Sequence, residues 1–141
     1  MRIWLWSTIA VFVLLAKPVD ETRRFPAANL VETKMVDKQL MGKPFMPGGT
    51  LASYKKGKIA YNMFLAKLAS PADAAFLLLD WHKALADAHL VPSFGGYFGH
   101  DSQDAGRPVF VFAKGAWIAG VVGLPEKDAD LQARGLAAHL N

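Results

Sequence analysis

The sequence predicts an α+β domain: an antiparallel sheet of about five strands with two helices on one face, built as two strand–strand–helix units. Three observations carry that expectation. Two Lys-Gly turns, at Gly57 and Gly115, sit between largely apolar runs, and each comes just after an aromatic residue, Tyr54 and Phe112. Each hairpin is followed by a proline-led segment with helical spacing, at Pro71 and Pro125. Antiparallel strands closed by tight turns and followed by helices pack as a sheet layer and a helix layer.

In the first unit, Tyr54-Lys55-Lys56-Gly57-Lys58-Ile59 reads as a tight hairpin, because Gly57 supplies the positive φ such turns require. The second strand, 59–69, runs into Ser70-Pro71-Ala72-Asp73. Ser70 can accept from an orphan helix N–H, Pro71 suits a first helical position, and Asp73 places negative charge at the positive end of the helix dipole. The helix is expected over 71–90. Ala74, Leu77, Leu78, Trp81, Leu85 and Ala88 share one face, with Asp80, Lys83 and Asp87 on the other. Val91-Pro92 ends it.

A glycine-interrupted strand at 93–99, a polar loop at 100–107 and strands at 109–112 and 117–122 complete the sheet. Pro125 then opens a last helix whose core face is Ala129, Ala133, Leu136, Ala137 and Leu140.

Ahead of this domain (50–141) the reading places a signal peptide or short membrane anchor at 1–18 and a linker or arm at 19–49. Arg2 followed by an apolar run at 3–16 is the pattern of a secretory leader. As a helix, 14 residues reach about 21 Å, short of a hydrocarbon core of about 30 Å. Trp4 and Trp6 are interface residues that would help an uncleaved anchor hold. Export is the expectation, to the periplasm or another extracytoplasmic space, with anchoring in the inner membrane left open.

Charge narrows the partners. The formal net charge is +4, but residues 17–58 hold nine Lys/Arg against four Asp/Glu, and the rest of the domain is slightly acidic. A contiguous basic face for nucleic acid is not indicated; juxtamembrane attraction to anionic lipid fits better, and solvated lysines with no partner are the plainest reading. The absence of cysteine excludes disulfides, a thiol nucleophile and cysteine-based zinc sites.

The succession Tyr54-Lys-Lys-Gly57, Ser70-Pro71-Ala-Asp73-Ala74, Gly96-Tyr97-Phe98-Gly99 and Phe112-Ala-Lys-Gly115 resembles an uncharacterised family of exported bacterial domains of unknown function, over about residues 48–140. The upstream Asn/Asp-Gly-Ala-rich stretch of such domains is not found in this chain. The resemblance implies the fold and an exported location, and no chemistry.

The candidate catalytic residues are His100, Asp101 and Asp104, in a loop that also holds Ser102 and Arg107. A histidine oriented by a carboxylate can act as a base, and paired carboxylates can hold a hard cation. The plainer reading is a solvated hairpin loop whose Asp and Gly residues suit turns. Tyr97, Phe98 and Arg107 are the candidates for ligand or partner binding, since glycines beside aromatics allow close approach. His82 and His89, seven apart on the expected helix, lie about 10.5 Å apart along its axis, too far to share a metal. No metal site or cofactor is expected, and no phosphate-binding loop, Gly-x-Ser-x-Gly elbow or His-Glu-x-x-His motif occurs.

The strands are apolar at consecutive positions, as in 109–112 and 117–122, where a one-sided sheet would alternate. A second sheet face therefore needs covering. The arm, through Phe25, Leu30, Leu40, Met41 and Phe45, ranks first, then a homodimer or membrane-associated partner, then an apolar ligand. The sequence thus favours an exported or membrane-tethered, non-catalytic binding or assembly domain. The alternative is a small metal-dependent hydrolase using the 99–107 loop.

Overall fold

The computed structural model describes residues 18–92 and 94–141. The leader at 3–16 lies outside them, and among the described residues no helix is long and apolar enough to cross a membrane. Seven strands form one antiparallel sheet: β1 (Leu30–Lys38), β2 (Pro47–Lys56), β3 (Ile59–Lys67), β4 (Ala86–Val91), β5 (Gly96–Asp101), β6 (Arg107–Lys114) and β7 (Trp117–Val122). Their spatial order is β1-β2-β3-β7-β6-β5-β4. Helix α1 (Pro71–Ala84) carries the chain from β3, near the middle, to β4 at the far edge, and the meander returns to pair β7 with β3. Helix α2 (Glu126–Ala137) follows β7.

The two predicted hairpins form as expected. Lys56 pairs with Ile59 and Lys114 with Trp117, leaving two-residue turns at Gly57 (φ +63°) and Gly115 (φ +57°). The α1 start also follows the sequence: the Ser70 side chain accepts from the Asp73 backbone N–H at 3.1 Å, with Pro71 at the first helical position.

The sheet has seven strands rather than about five, and both additions are edge strands. β1 is formed from the segment expected as arm or linker, and it pairs with β2 along its length. β4 takes residues expected in the helix, so α1 ends at Ala84 instead of near residue 90. Pairing with β5 outweighs the helical spacing of 85–90, with Asp87 at φ +54° and a register shift between Ala86 and His89. Both edge strands are mostly exposed or half-buried, so neither shows the alternation that marks a strand in sequence.

The helices occupy opposite faces, not one. Trp81 and Leu85 pack with Phe64, Val109, Val111, Ile118 and Val122. Ala129, Ala133 and Leu136 pack with Met63, Phe110, Phe112, Ala119 and Val121. Adjacent residues of one strand enter different cores because side chains alternate across the sheet. A two-fold axis normal to the sheet between β3 and β7 would relate the two hairpins but put both helices on one face. The echo between the halves therefore stops at the strands.

The consecutive apolar positions are thus explained within the chain. The 19–49 segment adds to both cores: Phe25 and Leu30 on the α2 face, and Leu40, Met41, Phe45 and Met46 on the α1 face. Tyr54, stacked on Tyr61 at 5.0 Å between ring centroids, donates to the Pro26 carbonyl at 2.6 Å. Burial pushes its phenol well above the ordinary value, so the hydroxyl stays a donor.

The α1 core centres on Trp81, which stacks on Phe64 at 5.3 Å, meets the edge of Phe45 at 5.6 Å and donates its indole N–H to Met46 Sδ at 3.3 Å. Phe64 occupies the space left by Gly120, where a Cβ would overlap its ring and lie 2.8 Å from the Phe110 carbonyl oxygen. Gly120→Ala is expected to cost about 1–3 kcal/mol by overpacking, read from urea unfolding. The double variant with Phe64→Leu should recover part of the loss. Equal stability of Gly120→Ala and the parent would show that the ring has room to move.

Candidate functional site

β5 and β6 are joined by a tight loop whose ends pair as Asp101 and Arg107. The backbone N–H groups of Asp104 and Gly106 both donate to the Asp101 carbonyl, at 3.0 and 2.8 Å, and Ala105 and Gly106 adopt positive φ. The α1-side face of the sheet next to this loop is concave. A cleft of about 420 Å³ is lined by Lys34, Val36, Gln39, Met41, Lys43, Leu51, Asn62, Asp101, Gln103, Asp104 and Arg107.

Strand alternation divides the sequence candidates. Asp101, Asp104 and Arg107 meet in the cleft. His100 does not join them: it precedes Asp101 on β5, so its exposed ring belongs to the other face, 5.8 Å from Phe98. The expected His–Asp pairing is therefore absent, because consecutive residues of a strand point to opposite faces. Tyr97 and Phe98 separate in the same way. Tyr97 stacks on His82 of α1 at 4.2 Å, while Phe98 is buried in the α2-side core. His89 lies on β4 rather than α1 and contacts Glu126 at 2.9 Å.

Asp101 is committed to structure. Its Oδ1 accepts from Lys43 Nζ at 2.8 Å and from the Gln103 N–H at 3.1 Å, and both charged side chains are almost fully buried. Lys43 also donates to Gln103 Oε1 at 3.2 Å and lies 5.7 Å from the Trp81 ring centroid. Buried charges persist only when paired and hydrogen-bonded, and here each partner answers the other. The carboxylate is consumed as an acceptor and is not placed as a base.

Arg107 differs. Its Nη2 donates to Asn62 Oδ1 at 3.0 Å and to the Val122 carbonyl at 3.4 Å, both neutral acceptors. The Asn62 amide is oriented in turn by the Ala52 carbonyl at 3.3 Å and Ser53 Oγ at 3.4 Å. Gly123 makes room, since a Cβ there would lie 2.8 Å from Nη2. Among the described residues, the carboxylate paired with the guanidinium is that of Asp104, half-exposed and 3.5 Å from Nη1. The head is thus held in place while its charge is only weakly answered.

Among the described residues, no group of three or more His, Asp or Glu is placed to hold a metal. The sequence reading missed Lys43, Asn62, Lys34, Gln39 and Gln103. Asn62 had a readable signal, a lone amide in the apolar run of β3. Lys43 had none, since a lysine beside Gly42 and Pro44 reads as a solvated turn. No protein-family model matches the chain, and no curated protein or solved structure matches it either.

Asp101→Ala should cost about 3–5 kcal/mol, because it leaves the buried Lys43 ammonium without its counter-charge, with the neutral Gln103 amide oxygen as its acceptor. The paired change Lys43→Met with Asp101→Leu should cost clearly less than the single one. Denaturant unfolding of the three variants reads this directly, and a larger loss in the double variant would show that the pair itself stabilises the fold.

Proposed function

We propose that this chain is an exported, membrane-tethered, non-catalytic binding domain, and that the cleft at Arg107 receives an anionic group of its ligand. The observation that carries the reading is the guanidinium itself. Asn62 and the Val122 carbonyl fix it without neutralising it, so the ordering cost of binding is already met within the fold. Lys34 adds a second positive group to the cleft, Gln39 and Gln103 bring amides, and the Lys43 charge is spent on Asp101. A cleft of this size suits a small ligand or the end of a larger one. Asp104 opposes an anion from the rim, which favours a ligand whose charge reaches past it to Nη1, since Asn62 and the Val122 carbonyl take both Nη2 hydrogens.

Catalysis by the 99–107 loop has less support. Its histidine is on the other face of the sheet and one of its two carboxylates is buried against a lysine. The tether rests on the apolar run at 3–16, which joins the domain at Pro18.

Titration of inorganic phosphate, followed by NMR of the arginine Nε–H signals, is expected to shift Arg107 saturably. Arg107→Lys should weaken the response, because a lysine cannot reproduce the planar fork. Shifts that grow linearly and persist in Arg107→Ala would overturn the cleft as an anion site. Separately, cell fractionation with intact-mass measurement should find the chain at full length in the membrane fraction. A soluble form about 16 residues shorter would instead mean a cleaved leader and a freely diffusing domain.

A further inference from the structure

The sheet ends in two strands with one neighbour each, and their sequences treat that exposure differently. An open edge offers unpaired backbone N–H and C=O groups to any strand that comes alongside. β4 is poorly suited to such pairing. Asp87 takes a positive φ within it, its register with β5 shifts between Ala86 and His89, and Pro92, which has no backbone N–H, follows it. β1 has none of these past its first residues. Its one irregularity lies between Leu30 and Glu32, and from Glu32 to Lys38 it keeps one register with β2. That regular run is about 20 Å long.

The charges of β1 are unanswered within the chain. Glu32, Lys34, Asp37 and Lys38 are all exposed, and among the described residues none of them takes part in an ion pair. Charges on an edge commonly keep other strands away. These are ordered so that one partner satisfies them, which is the same strand reversed. A two-fold axis normal to the sheet at Met35 sets Glu32 of each copy opposite Lys38 of the other. The same register puts Thr33 opposite Asp37, Lys34 opposite Val36, and Met35, which is 43% exposed, against its own copy. No like charges meet. Moving the axis to Lys34 sets that lysine against itself, and moving it to Val36 sets Lys34 against Lys38 twice. An axis at Thr33 carries the pairing into the irregularity at Leu30 and Glu32. Unlike charges directly opposite stabilise a strand pair and like charges destabilise it, so the sequence of β1 favours the register centred on Met35.

We propose that β1 is the interface of a symmetric dimer, in which two copies pair antiparallel over 32–38 about Met35 and join their sheets into one. Main-chain hydrogen bonds supply the attraction, and the Glu32–Lys38 pairs fix the register. Rotation about an axis normal to the sheet keeps each face on its own side, so both Arg107 clefts open on the same face of the joined sheet. Lys34 of each copy then lies opposite Val36 of the other, and Val36 borders the cleft. The dimer does not depend on the anion reading of that cleft.

The chain contains no cysteine, so a single introduced cysteine reports only its own position. At the axis, Met35→Cys faces its own copy across a strand pair, within the Cα separation of about 4.4–6.8 Å that a disulfide spans. Val31 is more exposed than Met35 but lies four positions from the axis, so Val31→Cys has its copy about 27 Å away. Mild oxidation of the full chain in detergent micelles is expected to crosslink Met35→Cys and to leave Val31→Cys mostly monomeric. Adding Glu32→Lys to Met35→Cys sets lysines opposite each other at both ends of the run, and the crosslinked fraction should fall several-fold. Adding Lys38→Glu as well should restore it. Residues 32 and 38 are about 20 Å apart within one copy, so that rescue can come only from across the axis. Crosslinking at 31 as fast as at 35 would mean random collision within the micelle and would overturn the interface. A charge-swapped chain that crosslinks no better than the Glu32→Lys chain would overturn the register. If Met35→Cys stays monomeric at every protein concentration tested, β1 is no interface between copies and its charges only guard an open edge.

Discussion

The pairing of β3 with β7 is the constraint on which the rest of the molecule depends, and it is made possible by a missing side chain. Gly120 lies opposite Phe64 in that pair, and only a residue without Cβ leaves the Phe64 ring lying across the neighbouring strand. Trp81 then stacks on the ring and fixes α1, and Met46 and Phe45 close over the indole. One contact thus joins the two halves of the sheet, seats the crossover helix and folds the 40–46 segment onto the α1 face. The opposite face is held differently. There the core is assembled from many medium-sized contacts among Met63, Phe110, Phe112, Ala129 and Leu136.

This division explains which parts of the fold were legible in the sequence. Turns and caps are local, so Gly57, Gly115 and the Ser70-Pro71 start could be placed from a few adjacent residues. Burial on both faces was legible too, as runs such as Val109 to Phe112. The number of strands was not, because β1 and β4 are edges with only one neighbour and little alternation. Nor was the side taken by each helix. That side depends on how the chain turns after Lys67 and after Val122, and both turns look alike as sequence.

The candidate site was legible as a loop but not as a geometry. Grouping His100 with Asp101 treated neighbours in sequence as neighbours in space, whereas a strand sends them to opposite faces. Asp101, Asp104 and Arg107 come together because the hairpin loop folds back on the end of β5. Their partners come from afar: Lys43 is 58 residues from Asp101, and Asn62 is 45 from Arg107. No spacing rule connects residues at such separations. The one hint, an asparagine inside an apolar strand, becomes informative only once the arginine it holds is seen.

The buried Lys43–Asp101 pair shows why the cleft has this shape. Removing two charges from water costs free energy that their attraction largely cancels, so the pair is a poor source of stability. Its geometric consequence is larger. It pins the 40–43 turn, where Met41 takes a positive φ, against the end of β5, and it directs Gln103 along the cleft wall. Arg107 can then remain available, because the nearest buried carboxylate is already spent.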